Sequence, residues 1–347
     1  MVNTDPASLV GHLRREHPVT LARVIADVER QIAAGEVAHF VPMATGFYPL
    51  DDLLNGGMRP GELMIVGGPF GVGKTIFALQ TARNVVMNDP QARALYVCYE
   101  HDVTHLMSRL LCLESAEHLP GQDALTLRRV YDMLYDSGNG GSAGGFIERL
   151  RHSARYGRVV QAIESYADRL VLVRASGDVS GLKQIRDWAK DVADAGASRM
   201  LLVVDYLQKI PANDSTVQTE DEITTLLAQG LKELAVSMQI QVLALAVSDR
   251  TGLKAQRMRL ADLRGASALQ YEADIGLVLN NKYEIVSREH LVYNRTQADT
   301  MRNWVVMSIE KNRAGINSVD IEFALDAAHF RMVPDGDFVR ERLVDER

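Results

Sequence analysis

The chain has 347 residues, of which 47% are hydrophobic and 24% are charged, and its formal net charge at pH 7 is −7. This composition is typical of a soluble globular protein with one large core plus a small appendage. The acidic balance excludes a protein coated uniformly in nucleic acid, although a local basic channel is compatible with it. We find no apolar run near the ~18 residues of a membrane span and no secretion-signal pattern at the N-terminus. Two cysteines, Cys98 and Cys112, indicate reduced thiols and a cytoplasmic location rather than a disulfide framework.

Residues 1–40 are expected to form a helical arm beside the main domain. The helix is predicted to end at Gly35. Apolar side chains recur at helical spacing before it, at Leu21, Val24, Ile25, Val28 and Ile32. The neighbouring sequence offers nothing to bury this stripe. It therefore packs either on the chain's own core or on a neighbouring subunit.

Residues 41–335 are predicted to form an α/β domain, followed by a tail at 336–347. Short apolar runs alternate with helical stretches, which favours a mainly parallel sheet covered on both faces. The Gly-rich run 137–145 predicts a flexible surface loop. The predicted strands are 63–66, 94–99, 170–173, 200–204, 241–247, 275–279, 304–309 and 319–325.

A phosphate-binding loop is the most informative motif. It reads G-x-x-x-x-G-K-T between an apolar strand and a helix, with its nucleotide contacts predicted at Gly68, Gly71, Val72, Gly73, Lys74 and Thr75. Glycines let backbone N–H groups surround a phosphate. Lys74 brings a positive charge to the β- and γ-phosphates, and Thr75 offers a hydroxyl to Mg²⁺. The following helix adds the partial positive charge of its N-terminus.

Two carboxylates follow predicted strands and complete a candidate catalytic site. Asp205 ends an apolar strand, where phosphate-loop enzymes hold the Mg²⁺ shell. Glu100 ends another strand, at the edge where open α/β sheets bind ligands, and can orient water toward the γ-phosphate. His101 and His105 lie four residues apart on the next helix. They have no third ligand in view, so we do not expect a metal there.

Further segments are more distinctive than the phosphate loop. One reads Asp-Tyr-Leu-Gln after an apolar strand, and another reads Lys-Asn-Arg-Ala-Gly in a turn between two predicted strands. The complete set is Thr45–Asn55 with Arg59–Leu63, Val203–Gln208, Ala261–Asp274 and Ile309–Gly315.

In these segments the chain resembles the RecA-type motor domain of DnaB-class hexameric replicative helicases, over about residues 41–333. The resemblance implies a RecA-like fold and a ring of six with ATP at each interface. It also implies that Glu100 is the catalytic glutamate, and that Lys311 and Arg313 act in trans on the γ-phosphate of the adjacent subunit. A cationic finger suits the charge that develops on a transferred phosphoryl group.

The chain departs from this family in three respects, the third of which is the charge of its first central loop, described with the nucleic-acid contacts below. We expect it to lack a counterpart to the helicases' large N-terminal domain, and residues 1–40 are expected to correspond to the linker helix that docks on the next subunit. Val247 falls where the helicases carry a glutamine that senses phosphate, and valine cannot form side-chain hydrogen bonds. Ser248 or Asp249 takes that place if the register shifts by a residue.

Nucleic-acid contacts are predicted in the second of two central loops. The first loop, from Pro211 to Glu222, is acidic, whereas a loop that tracks a nucleic-acid backbone should be basic. Stacking aromatic residues are missing from 249–270. Arg257 and Arg259 are predicted to contact phosphates rather than bases. The basic residues of the second loop predicted to bind nucleic acid are Arg250, Lys254, Arg257, Arg259 and Arg264.

The sequence therefore predicts an ATP-hydrolysing, Mg²⁺-dependent hexameric motor that acts on single-stranded DNA. One alternative is the same motor remodelling or regulating a protein partner. The other is a ring that binds ATP for assembly and turns over slowly.

Overall fold

The computed structural model describes residues 18–138, 145–212, 219–248, 252–286 and 299–344. Over these residues ten strands form one sheet. The strands are β1 (Leu63–Gly67), β2 (Ala92–Cys98), β3 (Leu170–Arg174), β4 (Arg199–Asp205), β5 (Gln241–Leu245), β6 (Ile275–Asn281), β7 (Trp304–Asn312), β8 (Val319–Asp326), β9 (Arg331–Met332) and β10 (Asp337–Phe338). The helices are α1 (Leu21–Ala33), α2 (Leu50–Leu53), α3 (Lys74–Asn88), α4 (Val103–His118), α5 (Leu127–Gly138), α6 (Phe146–His152), α7 (Gly157–Glu164), α8 (Leu182–Asp194), α9 (Glu220–Met238), α10 (Ala266–Glu272) and α11 (Lys282–Ile285).

The predicted α/β class and the mainly parallel sheet are confirmed. The strand order is β10-β8-β7-β6-β1-β5-β4-β2-β3, with β9 paired to β8. The six strands from β6 to β3 are parallel, and β7, β8 and β10 extend the sheet in antiparallel pairs. Each of the eight predicted strands is present, with ends shifted by a few residues. β10 lies within the segment predicted as a tail, so this part of the tail adds an edge strand to the domain.

The five inner parallel strands are largely apolar because both of their faces are buried, whereas the edge strand β3 is only half-buried. On β1, Met64 and Val66 join the core cluster that includes Phe77 of α3. The alternate residues Leu63 and Ile65 join the cluster that α8, α9 and α10 cover. This two-sided packing fixes β1 at the centre of the sheet. The phosphate loop is thereby placed at the carboxyl edge of the sheet, between two layers of helices.

A third, smaller core joins α4 to α7 beside the sheet. Leu111 and Cys112 of α4 pack there with Val130 of α5 and Val159 of α7. Both Cys98 and Cys112 are buried and unpaired. Among the described residues, no helix is long and apolar enough to cross a membrane.

The predicted N-terminal helix is present as α1. Thr20 caps its N-terminus, and Gly35 follows its end with φ +76°. Much of its apolar stripe is exposed on this chain, with Leu21 74%, Ile25 51% and Ile32 56% accessible. The stripe is therefore not buried on the chain's own core. Packing on a neighbouring subunit, the other alternative, stays a prediction.

Candidate functional site

The phosphate loop joins β1 to α3 in the conformation that its glycines permit. Gly68 has φ +148°, and a Cβ there would lie 2.5 Å from the carbonyl oxygen of Leu279. Gly73 is left-handed with φ +103° and is the N-cap of α3, so this helix begins at Lys74. A side chain at either glycine would be strained. The loop therefore turns its backbone toward the space in front of the α3 N-terminus.

Lys74 projects into this space. Its ammonium donates to the carbonyl oxygens of Gly68 and Pro69, at 2.7 and 2.8 Å. Burial lowers the pKa of Lys74 to about 8, against the opposing charges of Asp205 and Glu100. The ammonium is thus partly desolvated and already directed at the loop, where an anionic ligand would be attracted to it.

Asp205 lies at the carboxyl end of β4 and is almost fully buried, with 1% exposed. Burial raises the pKa of Asp205, and the charge of Glu100 adds to this effect, whereas hydrogen bonds from Tyr96 and Thr75 lower it. The Tyr96 hydroxyl donates to Oδ2 at 2.8 Å. A buried carboxylate beside the Thr75 hydroxyl is a set of hard oxygen donors that suits a divalent cation such as Mg²⁺. The residues present therefore fit the implied metal.

Glu100 follows β2, the neighbour of β4 in the sheet, and the register of these two strands places Cys98 opposite Asp205. Glu100 lines a cavity of about 320 Å³ together with Lys74, Thr75 and Asp205. The structure thus brings the predicted phosphate-loop, metal and base residues to one cavity at the carboxyl edge of the sheet, as expected where the strand order switches direction.

The same cavity has lining residues that sequence reasoning missed. Arg109 of α4 contributes a second cation, and its guanidinium lies 4.9 Å from the centroid of the Phe330 ring. Phe330 comes from the turn between β8 and β9, and Tyr206 follows Asp205. Arg109 lies on the α4 face of His105, four residues away, but no local motif marks either Arg109 or Phe330.

Lys311 and Arg313 lie elsewhere. Lys311 pairs with Gly276 near the start of β6, and Gly276 pairs with Ile65, three residues before the phosphate loop. At about 3.3 Å per residue, these backbones are separated by roughly 10 Å along the strands. Both cations are therefore placed toward the amino edge of the parallel strands, away from the chain's own cavity.

Both predicted finger residues contact the end of α10. The Arg313 guanidinium, which is 52% exposed, pairs with Asp274 at 3.2 Å and donates to the carbonyl oxygen of Tyr271 at 2.6 Å. The Lys311 ammonium donates to the carbonyl oxygen of Gln270. Burial and the charge of Arg313 lower the pKa of Lys311. These contacts hold the two cations together on one exposed surface.

The basic residues of the second loop are not equivalent. Lys254 is exposed. Arg264 pairs with Glu220 at 3.5 Å, and Arg259 pairs with Glu310 at 3.2 Å, with about a third of each arginine exposed. Arg250 lies outside the described residues.

The structure does not place the Arg257 side chain at the surface, where the predicted contact with a DNA phosphate would have to lie. Its side chain is only 4% exposed, and its guanidinium bonds to Asp320 at 2.5 Å and to the Ser308 hydroxyl at 3.1 Å. A buried arginine with these partners has a structural role. Moving its guanidinium out to a DNA phosphate would leave Asp320 without its ion-pair partner, which would destabilise the fold. No local pattern indicates this role, since Asp320 lies on β8.

Val247 lines the same cavity, as its predicted position at a strand end implies. Its backbone N–H donates to the Gln208 side-chain oxygen at 3.1 Å, and its carbonyl oxygen accepts from the Arg264 N–H at 3.0 Å. Ser248 is buried and pairs through its backbone with Leu263, while Asp249 lies outside the described residues. Backbone contacts at Val247 therefore connect the strand end to the second loop.

Comparison with known proteins decides the family. The family profile described as the DnaB-like helicase C terminal domain matches residues 42–126 and 147–332. The chain belongs to this family. It is similar to the replicative DNA helicase DnaB of Treponema pallidum (strain Nichols), with 27% identity over 84% of this chain and 56% of that protein. It is also similar to the replicative DNA helicase DnaC of Bacillus subtilis (strain 168), with 26% identity over 67% of this chain and 45% of that protein.

The chain spans about half the length of these curated relatives. Solved structures agree on the fold. A solved ATPase domain has a TM-score of 0.70 at 19% identity and covers 91% of this chain and 99% of its own. A DnaB-like replicative helicase, solved in work on its interactions with primase, has a TM-score of 0.66 at 18% identity and covers 92% of this chain and 67% of its own. These neighbours support the RecA-like architecture of the family.

Proposed function

We propose that the chain is the ATP-hydrolysing motor of a hexameric ring that moves on single-stranded DNA. One observation carries this proposal: the cavity gathers Lys74, Thr75, Glu100 and Asp205, while Lys311 and Arg313 lie on a separate exposed surface. A cation donated by a neighbour would complete such a site, since phosphoryl transfer needs positive charge at the γ-phosphate. The family supports a ring in which each subunit supplies both surfaces.

Within the cavity the residues have distinct roles. Lys74 and the loop N–H groups bind the phosphates of ATP, and the α3 N-terminus adds its partial charge. Thr75 and Asp205 would hold Mg²⁺, which neutralises phosphate charge when bound. Glu100 orients the attacking water and accepts its proton. The reaction is transfer of the γ-phosphoryl group to water, with ADP as the leaving group. A cytoplasmic location, which two unpaired buried thiols favour, fits this activity.

Assembly can be tested with two inactive variants. Arg313→Ala subunits keep their own cavity, and Lys74→Ala subunits keep their finger. Mixed rings should therefore regain ATP turnover at interfaces where the Arg313 of a Lys74→Ala subunit reaches the intact cavity of an Arg313→Ala subunit. The measurement is the ATPase rate against mixing ratio, with mixed rings verified by native mass spectrometry. No regained activity in verified mixed rings would contradict the trans role of Arg313.

The interaction with DNA depends on the exposed cations of the second loop. Replacing Lys254 and Arg264 with alanine should weaken binding of single-stranded DNA and reduce the slope of log K against log salt by about one unit for each phosphate that is no longer neutralised. Binding should depend little on base sequence, because phosphate contacts carry no sequence information. Fluorescence anisotropy across salt concentrations measures both effects.

Arg257→Met provides the matched control for this experiment. Because Arg257 is buried against Asp320, its loss should lower the free energy of unfolding by about 2 kcal/mol. The salt slope of the variant should stay at the wild-type value. An unchanged slope in the Lys254 and Arg264 variant, or a reduced slope in Arg257→Met, would contradict the assigned DNA surface.

A further inference from the structure

A helix that the family profile leaves out is connected to the nucleotide cavity. The profile matches the chain on both sides of residues 127–146 and leaves this segment unmatched. Within it, α5 buries Val130 fully against Leu111 and Cys112 of α4. The additional helix is thus fixed to α4, and α4 begins just after the catalytic candidate Glu100. This packing places Tyr131 of α5 next to His105 in the first turn of α4.

A series of side-chain contacts leads from this helix toward the cavity. The Tyr131 hydroxyl lies 2.8 Å from Nδ1 of His105. The His105 ring lies against the His101 ring, with centroids 4.6 Å apart. His101 Nε2 is in turn 3.0 Å from the Arg109 guanidinium. Three side chains, those of Tyr131, His105 and His101, thereby connect α5 to Arg109, the second cation of the nucleotide cavity.

The last contact fixes the protonation state of His101. A guanidinium can only donate, so Nε2 of His101 must accept and the ring must be neutral. Burial lowers the pKa of His101 to about 4, and the charge of Arg109 contributes to this shift. Burial and Arg109 also lower the pKa of His105. At neutral pH both rings are therefore uncharged, and His101 can keep Arg109 in place.

Besides His101, two groups act on Arg109 in the cavity: the Phe330 ring and the negative charge of Asp205. Its guanidinium stacks on Phe330, and its buried Nε has no hydrogen-bond partner among the described residues. Of these groups, His101 is the one that accepts a hydrogen bond from the guanidinium, so it fixes the direction in which Arg109 lies against Phe330. A cation at this position must be oriented to stabilise a transferred phosphoryl group, since misplacement of a charged group lowers the rate steeply.

We propose that Tyr131, His105 and His101 are positioning residues that hold Arg109 at the nucleotide cavity, so that the additional helix α5 sets the rate of ATP turnover. This rests on the proposed ATP hydrolysis but not on DNA binding. The regulatory consequence is direct: whatever displaces α5 from α4 releases Arg109 and slows turnover.

The first test compares two tyrosines of the same helix in the full chain. Tyr131→Phe keeps the ring beside His105 and removes only the hydroxyl. It should lower kcat for ATP, measured without DNA, about fivefold, as loss of one hydrogen bond predicts. KM should change little, because the effect lies in the transition state. Tyr135→Phe, at a position that is 72% exposed, should match the wild type. Equal rates in the two variants would overturn the proposal.

The second test separates positioning from folding. In an Arg109→Met background, Tyr131→Phe should have no further effect on kcat, because it acts through Arg109. His101→Gln, which keeps a hydrogen-bond acceptor, should retain more turnover than His101→Leu. If Tyr131→Phe lowers kcat by the same factor with and without Arg109, the residues do not act as one series and the proposal is wrong.

A readout independent of turnover distinguishes this proposal from the proposed function. Histidine ¹⁵N resonances report hydrogen bonding at each ring nitrogen. Tyr131→Phe should shift those of His105 and His101, and Arg109→Met should shift those of His101, while Tyr135→Phe shifts neither. If these resonances shift as expected but the wild type does not hydrolyse ATP, the proposed function is contradicted while the series of contacts is supported. Unchanged His101 resonances in both Tyr131→Phe and Arg109→Met would overturn it.

Discussion

Replacing Lys74 with alanine is expected to abolish ATP turnover and to weaken ATP binding. Its ammonium lies in the loop, bonded to the carbonyl oxygens of Gly68 and Pro69, where it can reach the phosphates. Loss of a preorganised charge at a phosphoryl group costs on the order of 10³-fold in rate. Steady-state phosphate release and nucleotide titration measure the two effects. Lys190→Ala, on the exposed side of α8, is the matched control and should behave as the wild type.

The pKa of Lys74 adds a pH dependence with a definite sign. Burial lowers this pKa to about 8, so the ammonium of the nucleotide-free chain loses its proton as the pH rises above that value. ATP binding must then take up a proton, and its affinity should fall above pH 8. The Lys74→Ala variant should lack this fall. Turnover above one tenth of the wild-type rate in Lys74→Ala would contradict the assignment of the phosphate loop.

Replacing Glu100 with glutamine is expected to separate binding from chemistry. Glutamine keeps the shape of the side chain but cannot accept a proton from water, so turnover should fall on the order of 10³-fold. The charge of Glu100 raises the pKa of Asp205, so its removal favours the ionised Asp205 that would hold Mg²⁺. ATP binding should accordingly persist. Rapid-quench and equilibrium binding measurements separate the two steps, with exposed Glu36→Gln as the control. Near-normal turnover would reject Glu100 as the base.

Much of this site could be predicted from sequence because its residues end apolar strands. Asp205 and Glu100 close runs that are buried on both faces, and parallel strands bring their carboxyl ends to one edge of the sheet. The phosphate loop needs only its glycines and its Lys74. In both cases the local sequence is enough to predict where the side chain lies in the fold.

The residues that sequence reasoning missed depend on distant partners. Arg109 reaches the cavity because Phe330, more than two hundred residues away, supports its guanidinium. The side chain of Arg257 is buried, not exposed on the basic loop, because it pairs with Asp320 on β8. β9 and β10 have two residues each, too few for a periodic signal. In each case the tertiary contact decides the role, and the composition of the local segment does not indicate it.

The central claim, that this chain is a motor driven by ATP on single-stranded DNA, is tested most directly by the rate of ATP hydrolysis with and without single-stranded DNA. We expect assembled wild-type rings to hydrolyse ATP faster when the DNA is present at low salt. The Lys254 and Arg264 double variant should lose most of this stimulation while its basal rate stays unchanged. Wild-type rings that bind ATP, yet neither bind single-stranded DNA at low salt nor accelerate in its presence, would contradict the account.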